Sequence, residues 1–124
     1  MSRLWNKAVE AMPHTQLRDL QLTRLRAQVA YNFANSPFFK DKFATAGMRP
    51  DDVASFADFA RLPLMTKAEL RTAQAESLER FGNPYALLAC APPEKIVRIN
   101  ATSGTTGVPT LYTLTAKDVA TVNE

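Results

Sequence analysis

The chain has 124 residues, 46% of them hydrophobic and 22% charged, with a net charge of +3 and a pI near 9.2. That is the composition of an ordinary globular chain with a modest core, and it argues against a disordered or fibrous protein. The basic residues are scattered and not interleaved with aromatics, which reads as solvated helix surface and speaks against a nucleic-acid partner.

The longest apolar run, residues 85–91, is far short of a membrane span, and residues 1–15 lack the apolar core of a signal peptide. A cytoplasmic protein without a membrane partner is the expectation. Cys90 is the single cysteine, so it has no internal disulfide partner; with Leu87, Leu88 and Ala89 beside it, it reads as a small hydrophobe and not as a nucleophile. His14 is the lone histidine, and no metal cluster or nucleophilic triad assembles around it, so no metal ligands are expected.

In chain order, Pro13 marks a boundary and Thr15 reads as the N-cap of a first helix. Leu17, Leu20, Leu25, Val29 and Phe33 form its apolar line, ending near Ser36-Pro37. Tyr31 and Phe33 are expected in the core. A second helix runs from Pro37 to Gly47 with Phe38, Phe39 and Phe43 on one face. Asp51-Asp52 caps a further turn. Ser55 with Asp58, and Thr66 with Glu69, spell two capping boxes, the second opening a helix to about Ser77. Residues 78–94, broken by Gly82-Asn83-Pro84 and Pro92-Pro93, read as a connection in which Tyr85 to Leu88 form a turn.

Ile96-Val97-Arg98-Ile99 and Leu111-Tyr112-Thr113-Leu114 then read as strands. Thr115 with Asp118 is a third capping box, opening a helix shortly before the chain stops at Asn123-Glu124. Two late strands cannot make a sheet of useful width, so the sequence reads as the front part of a longer protein. The expected organisation is a helical front subdomain, 1–90, and the opening strands and loop of an incomplete α/β domain, 91–124.

Between the strands lies Thr102-Ser103-Gly104-Thr105-Thr106-Gly107-Val108-Pro109-Thr110, with two glycines, five hydroxyls and no charge. Such a loop packs poorly on itself but offers backbone N–H groups and hydroxyl donors, which suit phosphate oxygens. By itself it also reads as a small-residue turn. It is neither a Walker A loop, since Val108-Pro109-Thr110 and a strand follow Gly107, nor a G-x-G-x-x-G fingerprint.

The loop resembles the signature of adenylate-forming enzymes, the acyl-CoA synthetase and ligase superfamily. Pro109-Thr110, where most of the superfamily has Pro-Lys, makes it similar to the phenylacetate–coenzyme A ligase branch. Tyr31-Asn32 with Ser36-Pro37-Phe38-Phe39-Lys40 resembles the branch's early element, and residues 62–71, Leu-Pro-Leu-Met-Thr-Lys-Ala-Glu-Leu-Arg, resemble a second. Thr102 stands where the branch usually has Ser, and Val108 where it often has Lys, which removes a positive charge beside the phosphates.

The resemblance implies the front part of the large N-terminal α/β domain of an acid–thiol ligase. Its co-substrates would be ATP, coenzyme A and a small aromatic carboxylic acid, with Mg²⁺ on the nucleotide and room for a homodimer. Ser103, Gly104, Thr105, Thr106 and Gly107 would hold phosphates, with Thr102 and Thr110 closing the loop. Lys67 is a weaker candidate for reaching the carboxylate or phosphates; a solvated residue in the first turn of a helix is the simpler reading. The chain alone is expected not to catalyse ligation.

Two alternatives stand beside this. A related adenylating enzyme with another acid or acceptor would share the same front part. A helical partner-binding or dimerisation module with a vestigial loop would show Phe38, Phe39, Phe43, Phe56 and Phe59 exposed as one patch.

Overall fold

Capping and breaking residues divide the front of the chain into short helices, and the computed structural model describes them within residues 4–104 and 107–122. Helix α1 (Lys7–Glu10) starts at Asn6, whose side chain accepts from the Val9 N–H. Helix α2 (His14–Asn35) follows. Its N-cap is Pro13 and not Thr15, because a proline already holds the non-helical backbone a cap needs and has no N–H to satisfy. Helix α3 (Pro37–Thr45) is capped by Ser36, and Gly47, at φ +65°, takes the left-handed position after it.

A 3-10 turn (Pro50–Asp52) leads to α4 (Phe56–Phe59), which the Ser55–Asp58 capping box opens. Helix α5 (Lys67–Phe81) begins at the Thr66–Glu69 capping box. It runs past the expected stop at Ser77, since nothing in the sequence breaks it before Gly82, which caps it at φ +71°.

The core lies where α2, α3 and the segment after the 3-10 turn converge. Val29, Phe43 and Val53 are buried there, with Phe33 and Leu62 packed against them. Phe33 stacks on Phe43 at 6.1 Å between ring centroids, and Phe39 is tilted against Phe43 at 6.3 Å. Tyr31, expected in this core, is 45% exposed. Two residues along a helix is more than half a turn, so Tyr31 faces away from both Val29 and Phe33.

Two buried serines tie the 85–89 turn to the helices. The Ser36 hydroxyl donates to the Leu87 carbonyl at 2.8 Å. The Ser77 hydroxyl donates to the Asn83 carbonyl at 2.8 Å and accepts from the Leu87 N–H at 3.2 Å. Leu87 is thereby held by polar contacts on both sides of a buried side chain. Lys42 of α3 and Glu69 of α5 form an ion pair between those helices.

Strands β1 (Ile96–Ala101) and β2 (Leu111–Thr115) pair antiparallel, from Ala101 with Leu111 down to Ile96 with Thr115, with a bulge between Ile96 and Arg98. Among the described residues these are the two strands of the sheet. Thr115 ends β2 and also caps α6 (Ala116–Val122): its N–H and hydroxyl bond the Asp118 carboxylate, and the Asp118 N–H returns to its hydroxyl. Among the described residues no helix is long and apolar enough to cross a membrane.

Candidate phosphate-binding loop

The pairing of β1 with β2 brings the two ends of the hydroxyl-rich loop together. Beyond the Ala101–Leu111 pair, the Thr102 N–H donates to the Thr110 carbonyl at 3.0 Å. In a regular ladder the return bond would run from the Thr110 N–H to the Thr102 carbonyl. Here the Thr110 N–H donates to the Thr102 hydroxyl instead, at 3.0 Å, and the two hydroxyls lie 3.1 Å apart. Thr110 is completely buried, so its side chain is committed to this neck.

Above the neck, Ser103, Gly107, Val108 and Pro109 are exposed. The Gly107 N–H donates to the Gly104 carbonyl at 2.9 Å. Gly104 has φ +66°, and a Cβ there would stand 2.9 Å from the Gly107 carbonyl oxygen and 3.0 Å from the Pro109 ring. Glycine is required twice over, by backbone conformation and by space. Thr105 and Thr106, expected among the phosphate ligands, lie outside the described residues, as do Asn123 and Glu124.

The loop offers N–H and hydroxyl donors and no cation. Val108, where a lysine often stands in the resembling branch, is 73% exposed. Among the described residues no three of His, Cys, Asp and Glu gather as a metal site. The loop sequence itself carries no carboxylate, the ligand that a protein commonly adds to the phosphate and water oxygens around Mg²⁺.

The remaining candidates are placed elsewhere. Lys67 is exposed as the first residue of α5, and His14 is exposed at the start of α2. Cys90 is half-buried, its Sγ 3.5 Å from Asn32 Oδ1. Burial pushes its thiol above the usual range, Asp118 adds to this, and the Ser36 hydroxyl opposes it, so the thiolate that a nucleophile needs is disfavoured.

The five phenylalanines do not form one exposed patch. Phe43 is buried, Phe38 and Phe39 are half-buried edge-to-face neighbours, and Phe56 lies under the Arg18 guanidinium at 3.6 Å. Of the five, Phe59 alone is among the exposed large hydrophobics. Sequence reasoning did not single out the Gly104–Pro109 contact or the Ser36 and Ser77 anchors. The only prior signal for these was Ser36 directly before Pro37, an N-cap pattern.

No protein-family model matches the chain. A phenylacetate-coenzyme A ligase from Aromatoleum evansii is 37% identical over 113 residues, 91% of this chain and 23% of that protein. The phenylacetate-coenzyme A ligase of Escherichia coli (strain K12) is 34% identical over 111 residues, 90% of this chain and 23% of that protein. Among solved structures, an open conformation of 2-hydroxyisobutyryl-CoA ligase in complex with 2-HIB-AMP and CoA matches with a TM-score of 0.81 at 31% identity, over 94% of this chain and 26% of that one. The same enzyme in the thioesterification state matches at a TM-score of 0.79 and 34% identity, over 94% of this chain and 24% of that one. The chain thus spans about a quarter of the length of the relatives it matches. The resemblance read from residues 31–110 extends over nearly the whole chain, and the fold is that found in adenylate-forming CoA ligases.

Proposed function

We propose that the protein in which this chain occurs is an acid–thiol ligase, and that this chain supplies its phosphate-gripping loop. In the first half-reaction a carboxylate oxygen attacks the α-phosphorus of ATP, and the bond to the bridging oxygen breaks to release pyrophosphate. In the second, the sulfur of coenzyme A attacks the acyl carbon, its proton is lost, and AMP leaves with the oxygen that linked it. Both halves move negative charge among phosphate oxygens, so positioned donors are the main service a protein can render.

Ser103, Gly104, Thr105, Thr106 and Gly107 would supply those donors to the β- and γ-phosphates. Thr102 and Thr110 would hold the loop's ends, and Lys67 would serve as a solvated surface residue. The Gly107 N–H, now bonded to the Gly104 carbonyl, would turn outward to reach a phosphate. Mg²⁺ would stay on the nucleotide, held by groups outside the described residues. A small aromatic acid is the proposed substrate, the cytoplasm the proposed compartment, and the division near residue 90 the proposed domain boundary.

The observation that carries this reading is a donor loop closed at its neck in a chain 37% identical to a phenylacetate-coenzyme A ligase. The structural likeness to a 2-hydroxyisobutyryl-CoA ligase favours a second acid, a small branched hydroxy acid. The full gene product, given ATP, coenzyme A and each acid, should form phenylacetyl-CoA faster than 2-hydroxyisobutyryl-CoA. The reverse order would transfer the proposal to the second acid, and no AMP formed with either would refute both acids in favour of a related adenylating enzyme with another acid or acceptor. The 124-residue chain alone should form no thioester.

A further inference from the structure

The neck of the loop is built unlike the rest of the hairpin. One rung of the ladder is kept, from the Thr102 N–H to the Thr110 carbonyl, while its return bond is carried by a side chain. The second hydroxyl then closes on the first at 3.1 Å, with Thr110 fully enclosed. A hydroxyl in place of a carbonyl ends the ladder at a defined point, so the chain separates into the loop there and not one residue earlier or later. Immediately above, Ser103 and Gly107 are exposed. Donors that must converge on one anion bind it more tightly when the ends of their loop are already fixed, because less freedom is lost on binding.

We propose that Thr102 and Thr110 are a hydroxyl clasp that sets the aperture of the loop, positioning residues that act on nucleotide affinity without contacting the phosphates. This rests on the phosphate-loop reading above. The chemistry asks for a hydroxyl at both positions, so serine substitutes for threonine at either, while valine, of equal shape, does not. Removing the Thr110 hydroxyl leaves the Thr102 hydroxyl still accepting from the Thr110 N–H, whereas removing the Thr102 hydroxyl strips both the Thr110 N–H and the Thr110 hydroxyl of their partner, so the second loss is the larger.

The test is a set of variants of the full gene product: Thr110→Val, Thr110→Ser, Thr102→Val and the double Thr102→Val/Thr110→Val. ATP KM and kcat are measured separately, with amide hydrogen exchange at Thr110 and Gly107. Thr102→Val, which removes the acceptor of the Thr110 N–H as well as the hydroxyl pair, should raise the ATP KM about tenfold with kcat within about threefold and should speed exchange at Thr110. Thr110→Val should raise KM by less and leave Thr110 exchange near that of the parent. Thr110→Ser should stay within about twofold of the parent, and the double variant should be no weaker than Thr102→Val alone, since that single change already removes every bond of the clasp but the Thr102 N–H to Thr110 carbonyl rung. Should Thr110→Val fail to fold, Thr102→Val carries the test from a half-buried position, with the acceptor of the Thr110 N–H removed as well.

Parental KM and exchange in both valine variants would overturn the clasp, as would a serine variant as weak as valine. A parent that does not bind ATP, yet shows faster Thr110 exchange on Thr102→Val substitution, would overturn the phosphate reading and the positioning role with it. A parent that binds ATP with both variants unchanged would overturn the clasp alone.

Discussion

The helical front and the hairpin are held by different forces. In α2 to α5 the side chains do the holding: Val29, Phe43 and Val53 are buried, and Ser36 and Ser77 anchor a crossing turn. In the hairpin the backbone does it. Val97, Ile99 and Tyr112 are all among the exposed large hydrophobics, and among the described residues of the strand–loop–strand element Thr110 alone is fully buried. A helical segment satisfies its own backbone and needs only a shared apolar face, whereas a two-stranded ribbon gains little from burial and is marginal alone. The difference separates stability, which resides in the front, from the donor loop, which the front merely carries.

The sharpest way to break that division is Phe43→Ala. Removing a buried ring that stacks on Phe33 and touches Phe39 should cost about 3–5 kcal/mol, read as a lowered urea midpoint of the helical signal. A loss under 1 kcal/mol would mean the front is not organised around this core. Next in size is Gly104→Ala. Left-handed backbone and two close contacts oppose a Cβ, so the ATP KM of the gene product should rise about tenfold while the helical melting midpoint stays put. A shifted midpoint would mean loop and front are coupled.

A pH titration sharpens the same contrast. The Lys42 ammonium, then the Thr66 N–H and hydroxyl, hold the Glu69 carboxyl at about 2 against an ordinary 4.5. A carboxylate depressed in the folded state stabilises fully above pH 4.5, and this contribution is lost as pH falls toward 2. Lys42→Met removes the largest cause and leaves the Thr66 bonds. The Glu69 carboxyl resonance should then titrate higher but still below 4.5, and the front should lose less stability across that window than the parent does. An unmoved resonance would exclude the ion pair as the cause. The smallest effect belongs to Ile99→Ala: on an exposed strand position it should change the melting free energy of the chain by less than about 0.5 kcal/mol. A larger loss would show that the hairpin is buried against something in solution.

Much of this was legible beforehand because the signals are local. The Ser55–Asp58, Thr66–Glu69 and Thr115–Asp118 boxes each close within four residues, and all three form as read. Gly47 and Gly82 end helices for reasons internal to their own φ angles. The strand–loop–strand order and the likeness to CoA ligases were likewise carried by contiguous motifs. Where reading failed, the missing information was not local. Tyr31 faces solvent because of which side of α2 meets α3, and α5 overran its expected end because no nearby residue stopped it.

The sequence by itself determined where helices start, where the chain turns, and which segment is rich in phosphate donors, since each depends on neighbours a few bonds away. Only the tertiary structure decided that Thr110 is enclosed and bonded to Thr102 across the loop, that Gly104 has no room for a side chain, and that Leu87 is gripped by Ser36 and Ser77. Those facts join residues as far as 51 positions apart, and the packing of whole elements, not the preference of any residue, brings them within hydrogen-bond reach.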